Sequence, residues 1–165
     1  SFHVKARTYS NGTWSALNEQ FFIFPQDYND LKITEINYNP VNQGEIESRY
    51  MEFIEIKNTG NSVLSLEGLR FAEGVTYKFP PDSELKPGQF IVLAADRKYF
   101  YTLYGFLPFD IYGGKLDNDG EKITLVNSDN DTICSFWYDD SIEWPALADG
   151  GGNSLVPTDC NPRTE

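Results

Sequence analysis

The chain has 165 residues, enough for one domain of ordinary size, and its 15% aromatic content indicates a packed core, not a disordered segment. The net charge of −12 argues against a nucleic-acid partner and against an anionic membrane surface, because both select lysine and arginine. No apolar run approaches the roughly 20 residues of a membrane span, so membrane insertion is not expected.

Residues 1–24 predict a β-hairpin. Basic and apolar side chains alternate along FHVKARTY, Asn11-Gly12 is a favoured two-residue turn, and TWSALNEQFFIF runs back. Two or three strands cannot bury a core by themselves. We therefore expect the hairpin either to dock on later strands or to be the C-terminal fragment of a preceding β-sandwich module. Residues 25–30, PQDYND, lack periodicity and predict a linker.

From Leu31 onward, short strands recur at regular spacing, which favours a β-sandwich over an α/β fold. One short helix is predicted where Asp96 supplies an N-cap and Gly105 a C-terminal stop. The total of about seven or eight strands and one helix is that of an all-β, immunoglobulin-like sandwich.

Two cysteines, Cys134 and Cys160, allow one disulfide. It would close a loop of about 26 residues between a late strand and the polar tail. The alternative is two separate thiols, with Cys134 buried in its apolar strand.

The sequence gives little support for catalysis, and we expect that this chain is not an enzyme. Its single histidine, His3, lies in the hairpin, so no histidine-based triad or zinc site can form inside the sandwich. Glu35, Glu52 and Glu55 alternate with apolar residues in strands, a pattern typical of a solvated face. A glycosidase would instead need two carboxylates facing each other across a cleft.

Two acidic clusters contain the oxygen ligands that calcium prefers, although no cofactor is required by the sequence. The first cluster is Asp117, Asn118, Asp119 and Glu121. The second is Asp139, Asp140 and Asp149, beside a glycine-rich loop. Neither has EF-hand spacing. For the first cluster, a type I′ turn at Asp119-Gly120 is the simpler interpretation, and the second is the better candidate for Ca²⁺.

The segment WYDDSIEWPALADGGGNSL, residues 137–155, permits two interpretations. Trp137, Tyr138 and Trp144 could bind a ligand by stacking on sugar rings, as exposed aromatic side chains do. Alternatively, the two tryptophans cover the open end of the sandwich, while the glycines at 150–152 let the chain pass close over the sheet before a last strand. We favour the second interpretation, a structural strap.

Six segments in order resemble a lamin tail domain of the bacterial type. They are KITEINYNP (32–40), EFIEIKNTGN (52–61), SLEGLRF (65–71), LKPGQFIVLA (85–94), NDGEKITLVN (118–127) and residues 137–155. The resemblance covers residues 31–157 and leaves 158–165 as a tail. It implies an immunoglobulin-like sandwich that serves as an accessory module. Residues 1–24 are similar to the last strands of chitobiase C-terminal-like or fibronectin-III-like modules.

We therefore expect a non-catalytic interaction module of a larger secreted or cell-surface bacterial protein. Its expected partners are protein or polysaccharide at the cell surface, together with neighbouring domains of the parent chain. One alternative is a carbohydrate-binding module of a glycan-active, chitobiase-like enzyme; a metal-assisted hydrolase is a weaker one. Because the chain begins at Ser1, without Met, we expect its targeting signal to lie elsewhere in a longer protein.

Overall fold

The computed structural model describes residues 2–22 and 26–158. The N-terminal hairpin has four short strands: β1 Phe2–Ala6, β2 Tyr9–Ser10, β3 Thr13–Trp14 and β4 Asn18–Phe22. β1 pairs antiparallel with β4, and β2 with β3. Asn11 and Gly12 both have a positive φ, 47° and 80°, as a type I′ turn requires. The predicted hairpin is confirmed, and its described side chains are exposed at residues 2–20 and 22.

The other nine strands among the described residues form the sandwich. They are β5 Leu31–Asn37, β6 Phe53–Asn58, β7 Leu64–Ser65, β8 Arg70–Glu73, β9 Glu84–Leu85, β10 Phe90–Ala94, β11 Asp110–Ile111, β12 Gly120–Val126 and β13 Thr132–Asp139. Three sheets result, with strand orders β11-β10-β6-β5, β13-β12-β8 and β7-β9. A 3₁₀ turn at Ser48–Tyr50 and one α-helix, α1 Arg97–Tyr104, complete the fold. The predicted all-β, immunoglobulin-like class is confirmed.

The main core lies between the inner faces of the sheets. Alternate residues of β5 and β6, such as Ile33 and Ile54, face inward and are at most 1% exposed. Ile123 and Leu125 of β12 face them from the three-stranded sheet and are fully buried. Each such side chain contributes about 1.5–3 kcal/mol by leaving water. Cys134 of β13 is buried in the same core, whereas Cys160 lies outside the described residues, as does most of the predicted tail.

The helix α1 begins and ends where the sequence predicts. The Asp96 carboxylate accepts hydrogen bonds from the backbone N–H groups of Lys98 and Tyr99, at 2.8 and 3.0 Å. Gly105 ends the helix in the left-handed conformation, with φ 77°. Phe100 packs with Phe53, Val92 and Ala94 in a second, smaller core, so α1 covers the outer face of the four-stranded sheet. Across residues 2–22 and 26–158, no helix has the length and apolar character needed to cross a membrane.

The cap can be tested by substitution of Asp96. We expect Asp96→Ala to lower the free energy of unfolding by about 1 kcal/mol, because two N–H groups lose their acceptor. Asp96→Asn keeps a side-chain oxygen and is expected to stay within a few tenths of a kcal/mol of the wild type. Urea denaturation measures both. Equal losses in the two variants would contradict the capping role.

The predicted type I′ turn at Asp119-Gly120 is wrong. Only Gly120 of the pair has a positive φ, 102°. The turn instead spans 117–120, where the Gly120 N–H donates to the Asp117 carbonyl at 3.3 Å. A Cβ at position 120 would lie 2.6 Å from the Tyr138 carbonyl oxygen, so glycine is required by the close approach of β13.

Residues 25–30, predicted as a linker, contact the sandwich over their described part. The Tyr28 hydroxyl donates to the Ser65 carbonyl at 3.0 Å, and the Tyr28 ring packs on the main core. The Gln26 side chain accepts from the Ser65 N–H at 3.1 Å. This segment therefore runs along the surface of the domain up to β5.

Candidate functional site

Residues 137–139 of the predicted strap belong to β13, and residues 141–156, called the strap from this point on, add to the edge of the four-stranded sheet. Leu155 exchanges two backbone hydrogen bonds with Ile36 of β5, at 2.7 and 2.8 Å. Gly150 donates to the Asn39 carbonyl at 2.9 Å, and the Asn39 amide donates to the Asp149 carboxylate at 2.6 Å. Because β5 is the edge of its sheet, the strap covers backbone groups that would otherwise be unpaired.

Gly151 is held against the earlier part of the strap. A Cβ at this position would lie 2.7 Å from the Leu147 Cα and carbonyl oxygen, a distance that real Cβ atoms do not adopt. Gly150 and Gly152 have positive φ values, 70° and 91°, and Gly151 does not. Close packing is therefore the requirement at Gly151, as the strap interpretation predicts.

We expect Gly151→Ala to destabilise the fold by about 2 kcal/mol, because the added methyl group overlaps backbone atoms. The matched control is Gly113→Ala. Gly113 also lacks a positive φ, but its added Cβ would lie at an ordinary 3.5 Å from Thr76. Its effect is expected within about 0.5 kcal/mol. Thermal or urea unfolding measures the stability of both variants. Equal losses of stability would show that the close approach of Gly151 to Leu147 does not require glycine.

The three predicted ligand-binding aromatics lie in different environments. Trp137 is 66% exposed on β13, opposite Lys122 of β12. Trp144 is partly buried and packs against the main core. Tyr138 is 1% exposed, and its ring centroid lies 4.7 Å from that of Tyr38.

This arrangement corrects the prediction for Tyr138, which has no exposed ring face and cannot stack on a sugar. Its hydroxyl lies 2.8 Å from the Asp117 carbonyl and 3.1 Å from the Glu121 carboxylate. Burial, followed by the charge of Glu121, raises the pKa of Tyr138. Trp144 packs against the main core, in agreement with the strap interpretation, whereas Trp137 points away from the core that it was expected to cover.

The predicted calcium ligands are not brought together. Over the described residues, no group of three or more His, Cys, Asp or Glu side chains is placed to hold a metal ion. The Asp139 carboxylate accepts from the Ser141 N–H at 2.7 Å, and this bond lowers the pKa of Asp139. Asp149 instead accepts from Asn39. Asp140, the third predicted ligand, does not form a metal-binding group with Asp139 and Asp149 in the described part of the chain.

A cleft of about 430 Å³ lies where the strap passes the end of β5 and the end of α1. It is lined by Glu35, Asn37, Phe53, Tyr104, Gly152, Asn153 and Ser154. Glu35 is half-buried and accepts a hydrogen bond from the Ser154 hydroxyl. The rings of Phe53 and Tyr104 meet edge to face, with centroids 5.5 Å apart.

Asn37 is the most notable polar residue of the cleft. It is 6% exposed, and its Oδ1 has no hydrogen-bond partner within the described part of the chain. Buried amide oxygens normally have a partner. The Asn37 side chain also hydrogen-bonds the Tyr104 side chain; burial raises the pKa of Tyr104, and this bond opposes the increase.

Glu52 is a buried carboxylate, so its predicted position on a solvated face is wrong. It is 1% exposed, and its Oε2 accepts from the Leu116 N–H at 2.8 Å and from the Tyr112 hydroxyl at 3.1 Å. Burial raises the pKa of Glu52 to about 7, although both hydrogen bonds act in the opposite direction. Glu35 and Glu55 are half-buried.

An exposed apolar feature is the helix-end surface, defined as Leu103, Phe106 and Leu107. These side chains are 39, 44 and 61% exposed. They lie within five consecutive residues at the end of α1 and just after it. The Phe106 ring packs edge to face on buried Phe100, with centroids 5.1 Å apart, which attaches the surface to the second core.

Comparison with known protein families matches residues 25–140, more than half of the chain, to the lamin tail domain. The chain belongs to the lamin tail domain family. A search of curated proteins found no matching relative. Lamin tail domains are immunoglobulin-like interaction domains, a class that is generally non-catalytic. The matched range ends at Asp140, so the strap lies beyond it although it is hydrogen-bonded to β5.

The described part of this lamin tail domain therefore has an exposed apolar surface and a polar cleft, both near the end of α1. The helix-end surface is apolar and exposed, a character that suits contact with the side chains of another protein. The cleft is polar and concave, and suits a small ligand with hydrogen-bonding groups. Sequence reasoning missed both, because their residues come from segments that read separately as strand, helix and loop.

Proposed function

We propose that this lamin tail domain is a non-catalytic interaction module of a larger secreted or cell-surface bacterial protein. It would attach or space the parent protein through contacts with protein or polysaccharide, and it would require no cofactor. The helix-end surface is the observation that supports this role most directly. Large apolar side chains grouped on one exposed surface are typical of sites where another molecule binds.

The packing of this surface adds to the argument. Phe106 is anchored on Phe100, and α1 is capped at both ends, so the exposed side chains are held on an ordered support. Ordered apolar anchors lose little conformational freedom on binding. The bacterial origin and a preceding chitobiase-like module belong to the same proposal, and they are supported by the resemblances of residues 137–155 and 1–24.

The proposal is tested by sedimentation of the purified chain with insoluble chitin, cellulose and peptidoglycan, and with a bacterial envelope fraction before and after protease treatment. We expect cosedimentation with at least one of these. If protease treatment of the envelope fraction abolishes cosedimentation, the partner is a protein. If cosedimentation persists after protease treatment, the partner is a polysaccharide. Parallel arms with millimolar calcium or with a chelator are expected to give the same result. No cosedimentation in any arm would contradict the proposal.

A matched pair of variants localises the contact. Leu107→Ser removes one apolar side chain of the helix-end surface and is expected to weaken binding about tenfold, the effect of losing a central anchor. Val156→Ser is the control, because Val156 is 64% exposed but lies in the strap, outside this surface. Equal effects of both substitutions would show that the helix-end surface is not the contact.

A second candidate function is a carbohydrate-binding module of a glycan-active enzyme. The cleft favours it, because a polar cavity beside aromatic rings is the kind of site in which sugars bind.

A further inference from the structure

We infer that the cleft between the strap, β5 and the end of α1 is a binding site for one ring of a neutral saccharide. This inference deepens the proposed function, since it names the ligand class of the polysaccharide contact and the residues that recognise it. It assigns recognition to Glu35, Asn37 and Tyr104, and not to the aromatic residues at 137 and 138.

Asn37 supplies the first argument. Its Oδ1 is buried and has no acceptor role toward any described residue. A buried acceptor in this condition is unfavourable, and a donor from a bound molecule would relieve the cost. Asn37 lines the cleft, so a molecule bound there lies beside its side chain, and a rotation of the amide would let Oδ1 accept a hydrogen bond from that molecule.

The composition of the lining selects the ligand class. Among the described residues, no lysine or arginine lines the cleft, and Glu35 is its single charged group. A phosphate or carboxylate ligand would therefore meet repulsion without compensation. Asn153, Ser154 and Tyr104 each carry both a donor and an acceptor. Sugar hydroxyls also donate and accept, whereas an ammonium ion only donates and would leave these donors unmatched.

Shape and size agree with this assignment. A volume of about 430 Å³ lies near the lower end of the range for small-ligand pockets, which suits one sugar ring with room for its substituents. Tyr104 is 43% exposed and is held between the Phe53 and Phe100 rings, so the exposed part of its ring is a fixed apolar contact for the C–H groups of a sugar. The strap fixes the opposite wall through the Ser154 hydroxyl, which holds the Glu35 carboxylate.

The experiment uses ¹⁵N-labelled chain titrated with the methyl glycosides of glucose, galactose, mannose and N-acetylglucosamine. We expect at least one of them to shift the amide signals of Asn37, Asn153 and Ser154 in a saturable way. Glu35→Gln is expected to weaken binding about tenfold, because a charged acceptor becomes neutral. Tyr104→Leu, a second variant at a half-exposed position, is expected to weaken it by a similar factor.

Glu55→Gln is the matched control. Glu55 is the cross-strand partner of Glu35, is also half-buried and also accepts a hydroxyl, that of Thr34 at 2.5 Å, but it does not line the cleft. The affinity of the Glu55→Gln variant for the glycoside is expected to stay within about twofold of the wild type. The dispersion of the amide spectrum shows that each variant is folded.

Three outcomes would overturn the inference. Shifts confined to the surroundings of Trp137 would place the sugar elsewhere while keeping the polysaccharide contact of the proposed function. Shifts with methylammonium chloride and with no glycoside would assign the cleft to a cation. No response to any probe would remove the saccharide site, and cosedimentation that is sensitive to protease would still support the interaction module.

Discussion

Trp144→Ala is expected to lower the free energy of unfolding by about 3 kcal/mol, and Trp137→Ala by less than about 0.5 kcal/mol. Trp144 packs against the main core from within the strap, so its truncation leaves a cavity and loosens the segment that covers the edge of β5. Trp137 is 66% exposed, so its truncation removes few contacts. Both variants carry the same chemical change and lie only seven positions apart.

Thermal and urea unfolding of the two variants, followed by far-ultraviolet circular dichroism, measures this difference. A loss in Trp137→Ala as large as that in Trp144→Ala would mean that Trp137 packs on the fold in solution. A negligible loss in Trp144→Ala would mean that the strap contributes little to stability.

The features that were predictable from sequence have local causes. Asn11-Gly12 specifies its turn because both residues tolerate positive φ. Asp96 and Gly105 set the limits of α1 because a cap depends on residues two or three positions away. The glycines at 150–152 were also informative, because a run of residues without side chains predicts a close approach to other backbone.

The direction of side chains in β13 was not predictable in the same way. Neighbouring residues of a strand point to opposite faces, so Trp137 and Tyr138 cannot both be exposed. Which one faces the core depends on the register between β13 and β12, where Trp137 pairs with Lys122 and Tyr138 with Glu121. A shift of one residue would exchange the two, and the apolar character of both rings gives no preference.

The cleft depends on contacts that are distant along the chain. Ser154 bonds Glu35 across 119 positions, and Tyr104 arrives from α1. No spacing rule connects such residues. Glu52 was assigned to the wrong face for a related reason: Met51, Glu52, Phe53 and Ile54 are all buried, because one sheet face meets the main core and the other lies under α1. Period-two reasoning fails where both faces are covered.

The burial of Glu52 makes the stability of the domain dependent on pH in a specific direction. Its pKa is raised in the folded state from 4.5 to about 7, so the folded chain holds a proton that the unfolded chain releases. Stability from this group is therefore complete below about pH 4.5 and decreases as pH rises to about 7. The size of the effect, from the shift in pKa, is about 3 kcal/mol.

Glu52→Gln is expected to abolish this decrease. Glutamine keeps an oxygen that can accept from the Leu116 N–H and the Tyr112 hydroxyl, and it cannot ionise. We expect the variant and the wild type to have similar free energies of unfolding at about pH 4. At about pH 8 the variant should be more stable by up to about 3 kcal/mol, because no charge is buried.

Urea denaturation gives the free energy of unfolding of the variant and of the wild type across this pH range. The difference between the two, plotted against pH, reports on Glu52 alone, because the other acids are present in both chains. Glu55→Gln is the control for the loss of one carboxylate: Glu55 lies three positions on, in β6, at a half-buried position, so a curve shared by both variants would show that the effect is not specific to the buried Glu52. A flat curve for Glu52→Gln would mean that folding leaves the pKa of Glu52 unchanged, with the effect of burial balanced by its hydrogen bonds. A curve that rises with pH only for Glu52→Gln would identify this carboxyl as protonated in the folded domain below neutral pH.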